Sequence, residues 1–239
     1  MSGRGLILES YSFKDISHER VFGAALSDIE IIPLNRDITS VPVVYQNGTN
    51  SCVSCAVAWV QQWMEKNGGK NVMRLSWPYL FQASNSTPQG NTPSRVLKPA
   101  HKEGISTWDT FSQKGFDEAK KEADDHKIPN YSFLTDYSKK NIYKSLTLSP
   151  LAIGVMNWKG RGAHMMVAYD VTLDGSHLLA ASWDDENNQT IEQVNWEDVE
   201  VAISFEPFPF YITPPRLTIH WSQVLTDKLI SYFKYAQKN

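Results

Sequence analysis

Long apolar runs, cysteine and an excess of one charge are all scarce in this chain of 239 residues. The most apolar stretches, 151–156 and 165–169, are far shorter than the roughly 18 residues that span a bilayer, so we expect no membrane partner. The 23 basic and 26 acidic side chains leave a formal charge of −3. Nucleic-acid binding depends on clustered Lys and Arg, and no basic run is present, so we expect no nucleic-acid partner.

The chain has only two cysteines, Cys52 and Cys55. Two cysteines so close together cannot build a disulfide framework, and this favours a reducing compartment. The first ten residues also lack the apolar region of roughly 7–15 residues that marks a signal peptide. We therefore expect a cytoplasmic protein, with incorporation into a larger particle as the alternative.

Aromatic residues, by contrast, are abundant, with eight Trp, ten Tyr and ten Phe. So many large side chains can bury a substantial core, which excludes a disordered solvating chain. Helical periodicity dominates the first half and strand-like runs the second, without strict alternation, which predicts an α+β domain. We assign this domain to residues 41–210, preceded by an extended arm at 1–40 and followed by an extension with an amphipathic helix at 211–239.

The strongest helix signal begins at Cys52, directly after a cluster of turn-forming residues. Apolar residues at helical spacing cover most of its circumference, so we expect a central buried helix with Ser51 as its N-cap and Gly68-Gly69 at its end. Further helix signals follow after Ser76, over 94–103 and in the charge-dense segment 116–126.

The second half of the chain has the alternating and continuous apolar runs that are typical of strands. Strands are expected over 151–156, 163–172, 177–183 and 192–195. The dipeptide Asp174-Gly175 is a strong signal for a tight hairpin turn between the second and third of them.

The segment 46–58, QNGTNSCVSCAVA, is the most informative one. A thiolate in the first turn of a helix is stabilised by the helix dipole and by free backbone N–H groups, so Cys52 is a candidate nucleophile. A carboxamide six residues upstream can fold back across the turn and donate a hydrogen bond to an oxyanion. Gln46 supplies this group.

This segment resembles the nucleophile region of papain-like cysteine peptidases. The likeness is nearest to divergent bacterial and viral members, which lack the Trp usually found after the nucleophile, where this chain has Val53. The segment 75–80, LSWPYL, is similar to the family's Leu-Ser-Pro helix start. The segment 90–93, GNTP, is similar to the Gly-containing edge of its substrate cleft, which indicates Gly90 as a cleft residue. The segment 162–170, GAHMMVAYD, resembles the strand that carries the family's histidine.

The resemblance covers roughly residues 40–205 in family order and implies a papain-like two-lobe α+β fold. A helical lobe would carry Cys52 and an antiparallel sheet lobe would carry His164. The implied activity is that of a thiol hydrolase that cleaves peptide or isopeptide bonds in a peptide or protein substrate and needs no cofactor. Cys52 would be the nucleophile, His164 the general base and acid, and Gln46 part of the oxyanion hole. Trp183 would shield the His164 site, or only fill the core.

One departure from the family pattern concerns the residue that orients the histidine. The family has Asn-Ser-Trp at the end of the second hairpin strand, whereas this chain has Ala181 at the Asn position. Folding the hairpin brings 181–185 alongside His164, so Ser182, Asp184 or a backbone carbonyl can replace the Asn. The sequence does not choose among these three.

Ala181 also supports a rival hypothesis, a catalytically impaired papain-like fold that serves as a structural or assembly subunit, for example of a virion. Its assembly partners would bind through the N-terminal arm and the C-terminal helix. In a further hypothesis, the arm at 1–40 lies in the cleft and restrains the activity.

Cys55 is a competing nucleophile, because Cys52-Val53-Ser54-Cys55 also matches a frequent Cys-Gly-Ser-Cys pattern of the family. The six-residue offset from Gln46 favours Cys52 and leaves Cys55 in the core. A redox C-x-x-C site would follow a strand in a βαβ unit, which is absent from the pattern here. A zinc site would need two more nearby ligands, so we expect no metal.

Overall fold

The computed structural model describes residues 6–7, 30–46, 48–160, 162–185 and 188–206. Within these ranges, the α-helices are α1 (Cys52–Asn67), α2 (Trp77–Ala83), α3 (Pro93–Lys102), α4 (Trp108–Lys114), α5 (Phe116–Glu122) and α6 (Lys139–Leu148). Short 3-10 helices lie at Ala123–His126, Trp158–Gly160 and Trp196–Asp198. The amphipathic helix predicted within 211–239 lies outside the described residues, and none of the described helices is both long and apolar enough to cross a membrane.

The strands form one antiparallel sheet that follows the helices in the chain. They are β1 (Tyr131–Phe133), β2 (Leu151–Val155), β3 (His164–Val171), β4 (His177–Asp185), β5 (Asn188–Asn195) and β6 (Val199–Phe205). Their order across the sheet is β1-β6-β2-β3-β4-β5. This mixture of helices and one antiparallel sheet confirms the predicted α+β class.

Helix α1 is buried over most of its surface and packs against β2 and β3, as its apolar circumference predicts. It ends at the predicted glycines, where Gly69 has the left-handed φ of 70°. Ser51 lies at the predicted N-cap position, but its side chain makes no capping hydrogen bond to the first turn. The Ser51 backbone, at φ −106° and ψ 15°, is not in the extended conformation that aims a cap hydroxyl at the first turn. Its hydroxyl instead contacts Thr49 Oγ1 at 2.7 Å and Cys55 Sγ at 3.6 Å.

The other predicted helices are present with small shifts of their ends. Helix α2 begins after Ser76, whose Oγ accepts a hydrogen bond from Tyr79 N at 3.2 Å. Helix α5 continues into a 3-10 turn, and most of its residues are exposed, as its charges predict. The sequence reasoning missed four short elements, which are α4, α6, β1 and β6. Strand β1 has only three residues and exists through its pairing with β6, which is 70 or more residues away along the chain.

The described stretch 30–40 of the N-terminal arm is tied to the domain by hydrogen bonds. The carboxylate of Asp170 in β3 accepts hydrogen bonds from Leu34 N at 2.7 Å and Arg36 N at 3.2 Å. The hydroxyl of Tyr143 in α6 exchanges hydrogen bonds with the backbone of Ile32. Main-chain groups of the arm therefore find partners on the domain, which anchors this stretch.

Two buried clusters lie on the two faces of the sheet. One contains most of α1 with residues of α2 and α3, and includes Cys52, Met165, Val167 and Trp183. The other contains Ile142 and further residues of α6 packed on the opposite face. The candidate nucleophile therefore lies where the helical part of the domain meets the sheet.

Candidate active site

Cys52 is the first residue of α1, and its side chain has no solvent exposure. The helix that carries it packs against the face of β3 that bears Met165 and Val167. His164, the first residue of β3, contacts Trp158 of the other buried cluster, so the structure does not place its ring on the face of the sheet that Cys52 contacts. A thiol at this end of a helix experiences the positive end of the helix dipole, which favours the thiolate. Both cysteines are thiols rather than a disulfide.

Cys55 lies one turn further along α1 and is also fully buried. Burial raises the pKa of the Cys55 thiol well above its ordinary value, although the hydrogen bond with Ser51 opposes this shift. A group with a raised pKa stays protonated at neutral pH, so Cys55 is poorly suited to act as a thiolate nucleophile. The raised pKa argues against Cys55 as the nucleophile.

The Gln46 side chain is folded back onto the turn that leads into α1. Its Nε2 donates a hydrogen bond to Thr49 O at 2.5 Å, and Thr49 N donates to Gln46 O at 3.1 Å. The side chain is 4% exposed, and its Oε1 has no hydrogen-bond partner among the residues the structure describes. A carboxamide has two N–H donors, and the bond to Thr49 uses one of them.

His164 is the first residue of β3 and lies opposite Val155 of β2. Its side chain is fully buried, and its Nε2 lies 3.1 Å from Ser182 Oγ. The indole of Trp158 stacks on the imidazole at a centroid distance of 6.5 Å and an angle of 23°. The ring is therefore held on one edge by a hydroxyl and on one face by an aromatic side chain.

Among the candidates for the group that orients the histidine, the structure brings the Ser182 hydroxyl to His164. Ala181 is buried opposite Val167 and packs into the core. Asp184 lies two residues beyond Ser182 in β4, and its side chain is outside the described part of the structure. Trp183 packs against Trp59 at a centroid distance of 6.5 Å, within the cluster that contains Cys52.

Gly90 closes a tight turn on the helical side of the domain. Its N donates to Thr87 O at 2.8 Å, its O accepts from Thr87 N at 3.2 Å, and its φ of 112° is one that only glycine adopts readily. The next residue, Asn91, accepts a hydrogen bond from Ile7 N. The predicted cleft edge is thus in contact with a piece of the N-terminal arm.

The sequence reasoning did not single out Trp158, Leu6 or Gly154, all of which lie at or near this site. Trp158 lies six residues before His164, and no helical or strand periodicity links these two residues. The backbone hydrogen bond from Trp158 N to Gly162 O closes a turn that brings the indole to the imidazole. Among the described residues, no group of three or more His, Cys, Asp or Glu side chains is placed to hold a metal ion.

Comparison with solved structures identifies the architecture. The chain is similar to xylellain, a cysteine protease from Xylella fastidiosa, with a TM-score of 0.72 and 17% identity over 87% of this chain and 97% of that one. It is also similar to the digestive procathepsin L2 proteinase from Tenebrio molitor larval midgut, with a TM-score of 0.64 and 12% identity over 85% and 78% of the two chains. For the bromelain protease from Ananas comosus the values are 0.58 and 12%, over 74% and 98%.

These neighbours are papain-like cysteine proteases, and the fold of this chain is papain-like, as the resemblance of its motifs implied. At such low identities the likeness shows the fold alone. No protein-family model matches the chain, and no curated protein matches its sequence.

Proposed function

We propose that this papain-like fold serves as a thiol hydrolase that cleaves peptide or isopeptide bonds, with Cys52 as nucleophile and His164 as base and acid. The observation that carries the proposal is the hydrogen bond between His164 Nε2 and Ser182 Oγ at 3.1 Å. A group that fixes one ring nitrogen leaves the other to exchange a proton with the nucleophile. The Cys52 helix packs on the face of β3 that carries Met165 and Val167, whereas His164 lies with Trp158 on the opposite face, so the proposed pairing requires the imidazole to turn around the start of β3 toward Cys52.

In the first step, the Cys52 thiolate attacks the carbonyl carbon of the scissile bond. A sulfur–carbon bond forms and the carbonyl electron pair moves onto oxygen. The second N–H of the Gln46 carboxamide and the Cys52 backbone N–H would donate hydrogen bonds to this oxyanion. Gln46 is suited to this role because its bond to Thr49 holds the carboxamide in place before the reaction begins.

In the second step, the carbon–nitrogen bond breaks and the His164 imidazolium gives its proton to the leaving amine. Water then attacks the thioester while His164 takes a proton from it. The carbon–sulfur bond breaks, the carboxylic acid leaves, and the Cys52–His164 pair is restored. Ser182 acts through His164 as a positioning residue, since its hydroxyl can accept the Nε2 hydrogen of the imidazolium.

The test compares Cys52→Ala with Cys55→Ala, a matched change three residues further along the same helix. With an unfolded protein as substrate, new amino termini and new chain ends are counted by mass spectrometry. We expect Cys52→Ala to lower turnover by roughly 10³-fold or more and Cys55→Ala to keep most of it. Thermal unfolding of both variants reports on the fold. Equal turnover in Cys52→Ala and the parent would rule the mechanism out.

A second candidate function is that of a catalytically impaired assembly subunit, and Ala181 at the family's Asn position favours it. This protein would leave the unfolded substrate intact. Its Cys52 would be alkylated by iodoacetamide only near the ordinary thiol pKa of about 8.5 rather than at lower pH. Both results together would replace the hydrolase by this alternative.

A further inference from the structure

Cys55 is a buried thiol for which the proposed mechanism has no use. It lies three residues after Cys52 in the first turn of α1, where its backbone N donates a hydrogen bond to Ser51 O at 3.0 Å. Both cysteine side chains are fully buried, and both are reduced. The helix therefore holds two thiols at one fixed spacing in the turn where the chemistry is proposed to occur.

This spacing permits a disulfide within the turn. An α-helix separates the Cα atoms of residues i and i+3 by roughly 5 Å. A disulfide joins Cα atoms that are roughly 4.4–6.8 Å apart. In Cys-X-X-Cys pairs and at helix N-termini, a thiol is activated as the thiolate, which is the form that reacts with oxidants and disulfides. Cys52 and Cys55 can therefore be joined without moving α1 relative to the sheet.

The two thiols also influence each other electrostatically. Burial is the largest cause of the raised pKa of Cys55, the hydrogen bond with Ser51 opposes it, and the negative charge of a Cys52 thiolate raises it further. Oxidation of Cys52 to a neutral sulfenic acid removes that charge. Cys55 then loses its proton more readily at the stage when its neighbour has become an electrophile.

The surroundings of the pair favour a neutral product. Both cysteines belong to the buried cluster that α1 forms with the sheet. A buried thiolate is costly in such a place, whereas a disulfide has no charge to solvate. A loop that runs only from residue 52 to residue 55 gains little stability from chain entropy, so a disulfide here is easily reduced again.

We infer that Cys52 and Cys55 form a redox modification site, in which a hydroperoxide oxidises Cys52 and Cys55 then closes a reversible disulfide with it. Cys55 is the resolving residue of this pair. The disulfide removes the nucleophile and so switches off hydrolysis, and this consequence rests on the proposed function. It also keeps Cys52 from reaching the sulfinic and sulfonic acids, which a dithiol does not reduce.

The chemistry proceeds in two oxidative steps. The Cys52 thiolate attacks one oxygen of hydrogen peroxide, the O–O bond breaks, and the sulfur becomes a sulfenic acid while hydroxide leaves and takes up a proton. The Cys55 sulfur then attacks the Cys52 sulfur, the S–O bond breaks, and the hydroxyl leaves as water with the Cys55 proton. A dithiol reductant restores both thiols by exchange and is itself oxidised to a disulfide.

The first test does not depend on catalysis. The parent and Cys55→Ala are treated with hydrogen peroxide and unfolded, the remaining thiols are alkylated, and the tryptic peptide 37–66 is analysed by mass spectrometry. The parent peptide should lose two hydrogens and carry no alkyl group, and prior dithiothreitol should return both thiols. In Cys55→Ala, Cys52 should instead gain two or three oxygens that dithiothreitol does not remove. A parent that gains oxygen on Cys52 while Cys55 stays a thiol overturns the inference.

Two further variants control this result. Ser54→Ala, at a serine that is 1% exposed between the two cysteines, should form the disulfide as the parent does. Cys52→Ala should keep Cys55 as a thiol, because Cys55 is not the residue that meets the oxidant first. Oxidation of Cys55 in Cys52→Ala at the parent's rate would contradict the order of the steps.

The second test measures turnover of the unfolded protein substrate before peroxide, after peroxide and after dithiothreitol. The parent and Ser54→Ala should lose turnover and regain most of it, whereas Cys55→Ala and the near-isosteric Cys55→Ser should regain less than about a tenth. Equal recovery in the parent and both Cys55 variants would refute the resolving role. A disulfide that forms in a protein without turnover would contradict the hydrolase and keep the redox site. Turnover in a protein that forms no disulfide would contradict the redox site and keep the hydrolase.

Discussion

The two halves of the candidate site are built in different ways. The candidate nucleophile segment, residues 46–55, has local polar contacts, from Gln46 to Thr49 and from Ser51 to Cys55, and Asn50 Nδ2 also donates a hydrogen bond outside it to Pro88 O at 2.6 Å. The histidine hairpin, residues 164–185, joins His164 to Ser182 across 18 positions, through the pairing of β3 with β4. The contacts from Gln46 to Thr49 and from Ser51 to Cys55 join residues that are close together in the chain. The contact between His164 and Ser182 depends on the register in which β3 pairs with β4.

Register decides which side chain of β4 reaches the histidine. Near the turn, Asp170 pairs with Leu179, and that register alone would place Ala181 opposite Ala168, on the face of His164. An irregularity between Ala168 and Asp170 shifts the pairing by one residue, so that Ala181 lies opposite Val167 instead. This shift puts Ser182 on the His164 face, because successive residues of a strand point to opposite sides.

We expect a substitution at Gln46 to lower the catalytic rate without lowering the stability of the sheet. Gln46→Ala removes the carboxamide donor and should lower kcat by about 10²-fold. The near-isosteric Gln46→Glu should lower kcat similarly, because it also lacks the N–H donor. Initial rates at saturating substrate and thermal unfolding measure the two effects separately.

Gln62, a buried glutamine in the same helix, is the matched control. Its side chain joins Pro42 O to Leu75 N at 2.8 and 2.6 Å, away from Cys52 along α1. Gln62→Ala leaves these groups unpaired and should cost about 3 kcal/mol of stability while kcat is kept. If Gln46→Ala lowered stability and left kcat intact, Gln46 would be a turn residue only.

A smaller kinetic effect is expected in the histidine hairpin. Ser182→Ala should lower kcat roughly tenfold, because the imidazole loses its acceptor but stays buried and stacked on Trp158. The alkaline limb of the pH–rate profile should also move to lower pH, since a hydrogen bond that favours the imidazolium is gone. Ser182→Thr keeps the hydroxyl and should restore most of the rate.

Ser204→Ala is the control for Ser182→Ala. It tests whether the loss of any buried serine hydroxyl from the sheet would lower kcat and shift the pH–rate profile. Ser204 is 1% exposed in β6, and its hydroxyl has no hydrogen-bond partner within the described ranges. We expect its loss to leave kcat and the pH profile unchanged. Equal pH profiles for the parent and Ser182→Ala would show that Ser182 does not orient His164.

The smallest effect is expected at the hairpin turn. The hydrogen bond from the Thr172 hydroxyl, followed by those from Ser176, holds the pKa of Asp174 well below its ordinary value. A lowered pKa means that the carboxylate adds stability above pH 4 or so and loses this contribution as the pH falls. Asp174→Asn should therefore unfold at a slightly lower temperature than the parent at pH 7, by a few degrees at most. The gap should narrow toward pH 3, and a gap that is independent of pH would contradict this role.

Much of the fold follows from local patterns. Three features are each specified by residues within one short stretch of sequence. They are the buried helix α1, the start of α2 at the Ser76 cap and the hairpin turn at Asp174-Gly175. Elements that were missed, such as β1 and α4, have only three and seven residues. Their stability comes from partners far away in the chain, which no short window of sequence contains.

The sequence by itself determined the local structure of the candidate nucleophile segment, because the turn that Gln46 and Thr49 close and the start of α1 at Cys52 lie within one short stretch. It also determined the class of fold, through the order of helical and strand periodicity. Only the tertiary structure decided that Ser182 rather than Ala181 meets His164, because a shift of one residue in strand pairing reverses every side chain beyond it. Only the tertiary structure placed Leu6 over Gly154, because contacts between residues about 150 positions apart depend on how the helices and the sheet pack together.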